Sequence, residues 1–157
     1  MLKGIECLGH STIRLKKNGK VIYIDPFDLK ENRNDADIIF ITHSHSDHYS
    51  PEDIKNVKNE DTVIIVTEDL YSSVIALGFY GMNIITVKPN NSYKINNIEF
   101  TTIPSYNINK EFHPKENNWV GYIVELEGVK YYIAGDTDIT EENRKVKCDV
   151  AFVPVRW

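Results

Sequence analysis

Ile38-Ile39-Phe40-Ile41-Thr42-His43-Ser44-His45-Ser46-Asp47-His48-Tyr49-Ser50-Pro51-Glu52-Asp53 is the stretch from which the rest of this chain is read. Its first four residues are apolar, which predicts a strand buried on both faces. Ser50-Pro51-Glu52-Asp53 reads as a capping box with proline at the first helical position, so a short helix is expected to about Val57. Between strand and helix lie three histidines and an aspartate within six residues. A loop pinned at both ends can aim several ligands at one point. His43 and His45, two apart in extended chain, project from the same side. The turn into the helix brings Asp47 and His48 to a second point. Imidazole and carboxylate are the ligand types expected for zinc, iron or manganese. A merely polar surface loop is the alternative, yet three of only five histidines fall in this constrained place.

Strand signals precede this segment. Lys3–Leu8, Thr12–Lys16 and Lys20–Asp25 are expected strands, the last two joined by the hairpin turn Asn18-Gly19. After it, Thr62–Thr67 reads as a strand. Glu68–Leu77 reads as a helix with Thr67 as cap and Gly78 as stop. Asn83–Val87 is a further strand. Ser92–Ile103 is a hairpin turning at Asn96-Asn97, and Val120–Leu126 pairs with Val129–Ile133 through Glu127-Gly128. Asp149–Val153 is the final strand. Strands early and late with helices between fit an α/β class of packed layers. No GxGxxG or P-loop pattern occurs.

The 157 residues suit a single domain, 1–157, and the 41% hydrophobic content is ample for a core. A net charge of −5 disfavours generic nucleic-acid coating. No apolar run approaches the roughly 20 residues that span a bilayer, and the start lacks a signal-peptide layout. Cys7 and Cys148 are far apart and outside any CxxC pattern, which suits reduced thiols and a cytoplasmic location.

HxHxDH after an apolar strand resembles the signature of the metallo-β-lactamase-fold hydrolases. Gly9-His10-Ser11 before a strand, Ile24-Asp25-Pro26-Phe27 and Ala134-Gly135-Asp136-Thr137 agree in order. Together they resemble the branch that includes ascorbate-phosphate-lactonase-like proteins, from about Gly4 to Pro154. The resemblance implies a layered αββα sandwich and two divalent metal ions, zinc first, with manganese or iron as alternatives. It implies that His43 and His45 bind one ion, that Asp47 and His48 bind the second, and that Asp136 bridges them. It further implies a metal-bound hydroxide as nucleophile, with Asp47 orienting it or taking its proton. The activity expected is hydrolysis of a small ester, lactone or phosphodiester.

Several positions carry two readings each. Asp25 is either a carboxylate behind the ligands, receiving a ligand histidine's other N–H, or an Asp-Pro turn. His10 is near the site as a supporting or substrate-contacting residue, or caps a strand turn. The family's histidine between the first motif and the bridging aspartate has no counterpart at the end of Ile98–Ile103. His113, on a loop, is the nearest substitute, either as a ligand or as a contact to substrate or solvent. Asp136 itself is weighed against an ordinary Gly-Asp-Thr turn. Tyr49, Tyr106, Phe112 and Trp119 are either pocket lining or packing.

Family members continue past the strand matching Asp149–Pro154 with a last helix, closing strands and a final histidine ligand. The resemblance therefore implies a C-terminally shortened fold. Uncovered sheet surface of that kind predicts a homodimer. Two rival functions stand beside the hydrolase of a small-molecule substrate. One is an inactive metal-binding remnant. The other is a di-iron oxidoreductase, disfavoured because such sites tend to place a carboxylate where this chain has His45. A nuclease is disfavoured by the acidic balance, and β-lactam hydrolysis by the lack of an export signal.

Overall fold

Short-range chemistry builds the first half of the chain. In the computed structural model, which describes residues 2–155, the residues divide into two compact units, one up to Val87 and one from Lys88. The first holds a six-stranded sheet, β1 (Ile5–Gly9), β2 (Thr12–Lys17), β3 (Lys20–Ile24), β4 (Ala36–Phe40), β5 (Lys58–Thr67) and β6 (Ile84–Val87), in that spatial order. β1 to β3 run antiparallel and β3 to β6 parallel. Asn18 and Gly19, at φ 51° and 70°, make the tight turn between β2 and β3. Parallel pairing requires crossovers, and helices α1 (Pro51–Val57) and α2 (Tyr71–Ile75) supply the last two.

The helices cover one face of this sheet. Ile54 and Val57 of α1 and Val74 of α2 pack with Tyr23, Ile39, Ile41, Ile64, Val66 and Phe79 in one core cluster. Ile22, Ile24, Ile38, Phe40 and Ile65, from the same strands, are also fully buried. The apolar run Ile38–Ile41 is thus inaccessible on both faces, as its composition predicts.

Two elements differ from the sequence reading by more than two residues at a boundary. β5 begins at Lys58, four residues early, because Thr62 Oγ1 and Asn59 Nδ2 both reach Ala36 O and tie this polar start to β4. The helix expected over Glu68–Leu77 is a 3-10 turn, Glu68–Leu70, followed by the short α2. Thr67 Oγ1 donates to Asp69 Oδ1 at 2.6 Å instead of capping a backbone N–H. Gly78 does stop the helical turns. At φ 86° it takes the left-handed position, with Gly78 N bonded to Ile75 O and Phe79 N to Val74 O.

The second unit is a five-stranded sheet. β7 (Ser92–Ile95), β8 (Ile98–Pro104), β9 (Val120–Leu126) and β10 (Val129–Ile133) form an antiparallel meander, and β11 (Val150–Phe152) adds parallel to β10. The turns at Asn96-Asn97 and Glu127-Gly128 have positive φ at both central residues, the twist-matched hairpin geometry. Ile98, Phe100, Tyr122, Val124, Tyr131 and Ile133 form the buried side. The mixed α/β class with two sheets is the expected one. Among the described residues, no helix is long and apolar enough to cross a membrane.

Candidate metal centre

The parallel pairing of β3 with β4 sets Ile24 opposite Phe40, so the chains leaving both strands emerge side by side. Asp25 N–H then bonds Phe40 O at 3.0 Å. Ligand sites of parallel sheets lie at such carboxyl ends. Asp25 follows β3 with φ 45°, and Thr12 Oγ1 holds that conformation by donating to Asp25 O and accepting from Phe27 N. Beyond β4, His48 N and Tyr49 N both bond His45 O, closing a tight turn. Ser50 caps α1 through Asp53 N, and the Asp53 carboxylate accepts Asp28 N at 3.0 Å and Leu29 N at 2.9 Å. The helix cap therefore ties the histidine loop to the Asp25 loop.

Asp25 is the buried hub of these two loops. Its Oδ1 accepts Thr42 N at 2.8 Å, and its Oδ2 accepts Thr42 Oγ1 at 2.7 Å and His48 Nδ1 at 2.8 Å. A carboxylate only accepts, so the Thr42 hydroxyl spends its one proton on Asp25. Its oxygen must then accept from His43 Nδ1, 2.9 Å away. With Nδ1 protonated on both His43 and His48, each neutral ring keeps its lone pair on Nε2. Such partners fix tautomer and ring orientation in metal-binding histidines. The sequence alone gives Thr42 no role in the site.

The ligand atoms converge in two places within this unit. His43 Nε2 lies 3.1 Å from His45 Nδ1. His10, Asp47 and His48 offer one ligand atom each, all within 4.8 Å of one another. The chemistry of these donors, imidazole nitrogen and carboxylate oxygen at close mutual range, fits a divalent transition-metal ion.

Asp136 and His113 belong to the second unit, and among the described residues no group of three metal-ligating side chains lies wholly within that unit. Asp136 follows β10 and Gly135, whose φ is 65°. Ser105 Oγ lies within bonding range of Ala134 O at 2.9 Å and Asp136 O at 3.3 Å. Thr137 Oγ1 accepts from Tyr106 N, and Asp138 N donates to Tyr106 O. A cleft of about 650 Å³ beside Asp136 is lined by Asn107, Lys110, Thr137, Asp138, Ile139 and Pro154. His113 is buried, its ring 4.6 Å from that of Trp119, which is packing against a core aromatic. Tyr49 likewise sits in the core cluster and Phe112 is exposed. None of Tyr49, Tyr106, Phe112 and Trp119 lines this cleft.

Tyr106 Oη donates to Glu142 at 2.8 Å, and Lys115 Nζ binds the other carboxylate oxygen at 2.6 Å. Lys115 and then Tyr106 hold the Glu142 carboxyl down to about 2. A depressed carboxyl stabilises the fold above its unfolded value, and that contribution fades as pH falls from about 4.5 towards 2. Glu142→Gln is expected to lower stability at neutral pH by only the modest amount that an exposed pair supplies. It should flatten the wild-type loss of melting temperature across that acid window, read by thermal melts from pH 5 to 2.

A second expectation concerns Thr42. Thr42→Val removes the hydroxyl but keeps the shape, freeing the His43 ring to choose the wrong tautomer. Metal affinity should fall about 10–100-fold, and Thr42→Ser should restore it. Competition against a chromogenic chelator measures this. Equal affinity for Thr42→Val and wild type would show that the hydroxyl does not govern His43.

Sequence comparison supports the same assignment from outside the site. The family model described as a β-lactamase superfamily domain matches residues 4–156. The chain belongs to the metallo-β-lactamase-fold superfamily. A superfamily member from Geobacillus thermodenitrificans, named a UPF0173 metal-dependent hydrolase, is 29% identical across 94% of this chain and 70% of its own length. The crystal structure of a candidate metal-dependent hydrolase from Parabacteroides distasonis is 30% identical with a TM-score of 0.80. That match covers 97% of this chain and 69% of the other. CmlA, a di-iron β-hydroxylase from Streptomyces venezuelae, is 18% identical with a TM-score of 0.67, covering 85% of this chain and 29% of its own. At that identity the likeness to CmlA is one of fold alone.

Proposed function

We propose that this chain is a binuclear metal-dependent hydrolase acting on a small ester, lactone or phosphodiester. The observation that carries the reading is the Asp25–Thr42 hub, which presents the Nε2 lone pairs of two buried histidines, His43 and His48, on one loop. A buried polar network with that tautomer control is what metal-binding histidines require, and a solvated loop does not need it. Relatives named metal-dependent hydrolases support the reaction class.

His43 and His45 would hold one ion, Asp47 and His48 a second, and Asp136 would be the carboxylate shared by both, on the strength of the motif order. Zinc suits the donor set, with manganese or iron as alternatives. When bound, the ions lower the pKa of water and neutralise charge developing on the attacked carbonyl or phosphoryl oxygen. The chain's own residues do the rest. Asp25 and Thr42 keep the rings aimed and set their tautomer. Asp47, at the accessible edge, orients the attacking water and takes its proton.

Elemental analysis of protein stripped and reloaded with Zn²⁺, Mn²⁺ or Fe²⁺ tests the site, and turnover of generic esters and phosphodiesters tests the activity. About two ions per chain with metal-dependent turnover is the expected result. Tight loading without turnover on any such substrate would favour the inactive-remnant reading, and failure to load would remove the metal centre altogether.

A further inference from the structure

His10 stands at the turn between β1 and β2, in a left-handed backbone conformation with φ 48° after Gly9 at φ 122°. That conformation turns the side chain back towards the histidine loop. Its ring lies edge-on to Phe27 at 5.4 Å and to His48 at 5.7 Å. Nε2 sits 3.0 Å from Asp47 Oδ2, and the same oxygen is 3.8 Å from His48 Nε2. For a tetrahedral ion with bonds near 2.0–2.1 Å, neighbouring ligand atoms are separated by about 3.3 Å. The two measured separations bracket that edge.

We propose that His10 is a direct ligand of the second ion, completing a His10–Asp47–His48 set, rather than a residue that only supports the site or touches substrate. This rests on the binuclear reading above. Both His10 and Asp47 are open to solvent, at 45% and 41% side-chain exposure, while His48 is buried. An accessible side leaves a coordination position for water, which a catalytic ion needs and a closed structural site lacks. The assignment also gives the second position two imidazoles and a carboxylate without calling on His113, which packs on Trp119.

The rival account is that His10 merely donates a hydrogen bond to Asp47. His10→Gln separates the two, because the amide still donates to a carboxylate but is a poor metal ligand. Metal-free wild type, His10→Ala and His10→Gln are titrated with Co²⁺, following the d–d absorption of each ion in turn. Losing an outer partner costs about 10–100-fold in affinity, so loss of a true ligand is expected to exceed about 100-fold. Both variants should show that loss for the second ion alone, with the first ion's affinity within about twofold of wild type. Wild-type second-ion affinity in His10→Gln overturns the ligand assignment. Wild type taking up only one ion would instead overturn the binuclear reading beneath it, so the two failures are distinct.

Discussion

Asp25→Ala is expected to destabilise even the metal-free protein, by about 3–5 kcal/mol. The deletion strips three donors of their acceptor at once: the Thr42 N–H, the Thr42 hydroxyl and the His48 Nδ1–H. All sit where water is excluded, since Asp25, Thr42, His43 and His48 are buried. The Thr42 hydroxyl can rotate, so part of the loss is recovered, but a backbone N–H cannot. Asp25→Asn keeps one acceptor oxygen and turns an NH₂ towards a donor, and should lose about half as much. Urea denaturation of chelator-treated protein measures both, with the midpoint falling and the slope unchanged. A midpoint for Asp25→Ala equivalent to less than about 1 kcal/mol would show that the hub is not structural. The same variant should bind the first ion about 10–100-fold more weakly, because Asp25 holds the Thr42 hydroxyl that orients His43.

Where the sequence was legible, the signal was local chemistry. Asn18-Gly19, Asn96-Asn97 and Glu127-Gly128 name their own turns because few residues tolerate positive φ there. Ser50-Pro51 names the start of α1 for the same kind of reason. The helix expected over Glu68–Leu77 failed on one side chain, since Thr67 had a partner in Asp69 that the capping rule does not foresee. Long-range pairing was the larger blind spot. Thr42 and Asp25 are 17 residues apart and meet only because β3 and β4 are parallel neighbours in register. No property of Thr42 on its own separates it from Thr12, Thr62 or Thr67. The HxHxDH spacing brings out four side chains of the candidate site. It is silent on what orients them, and on the approach of His10, which depends on how a Gly9 turn folds back.

Fold likeness alone does not choose a reaction here. CmlA is a di-iron β-hydroxylase, and the relatives at 29–30% identity are named hydrolases. What this chain itself adds is its donor set, in which His45 Nδ1 faces His43 Nε2 at 3.1 Å. Nitrogen-rich sets favour zinc over the hard, oxygen-loving ions.

Metal loading is expected to raise stability more than any single side chain lowers it. An ion that binds only the folded state adds RT ln(1 + [L]/Kd), about 4 kcal/mol when free ion stands at a thousand times its dissociation constant. Two such ions would add about 8 kcal/mol if they bound independently. Folding itself is expected to proceed without the ions. His43 and His48 are already placed by Asp25 and Thr42, and the loop is pinned by the Asp53 cap. The chelated protein should therefore unfold cooperatively, at a lower temperature, and regain the difference on adding Zn²⁺. His43→Ala removes a fully buried ring proposed as a ligand, and should abolish the part of the shift due to the first ion. Melting curves with chelator and with stepped free Zn²⁺, on wild type and His43→Ala, measure both effects. If wild type melted at one temperature with and without Zn²⁺, the buried histidines would be a polar core network and the hydrolase reading would lose its centre.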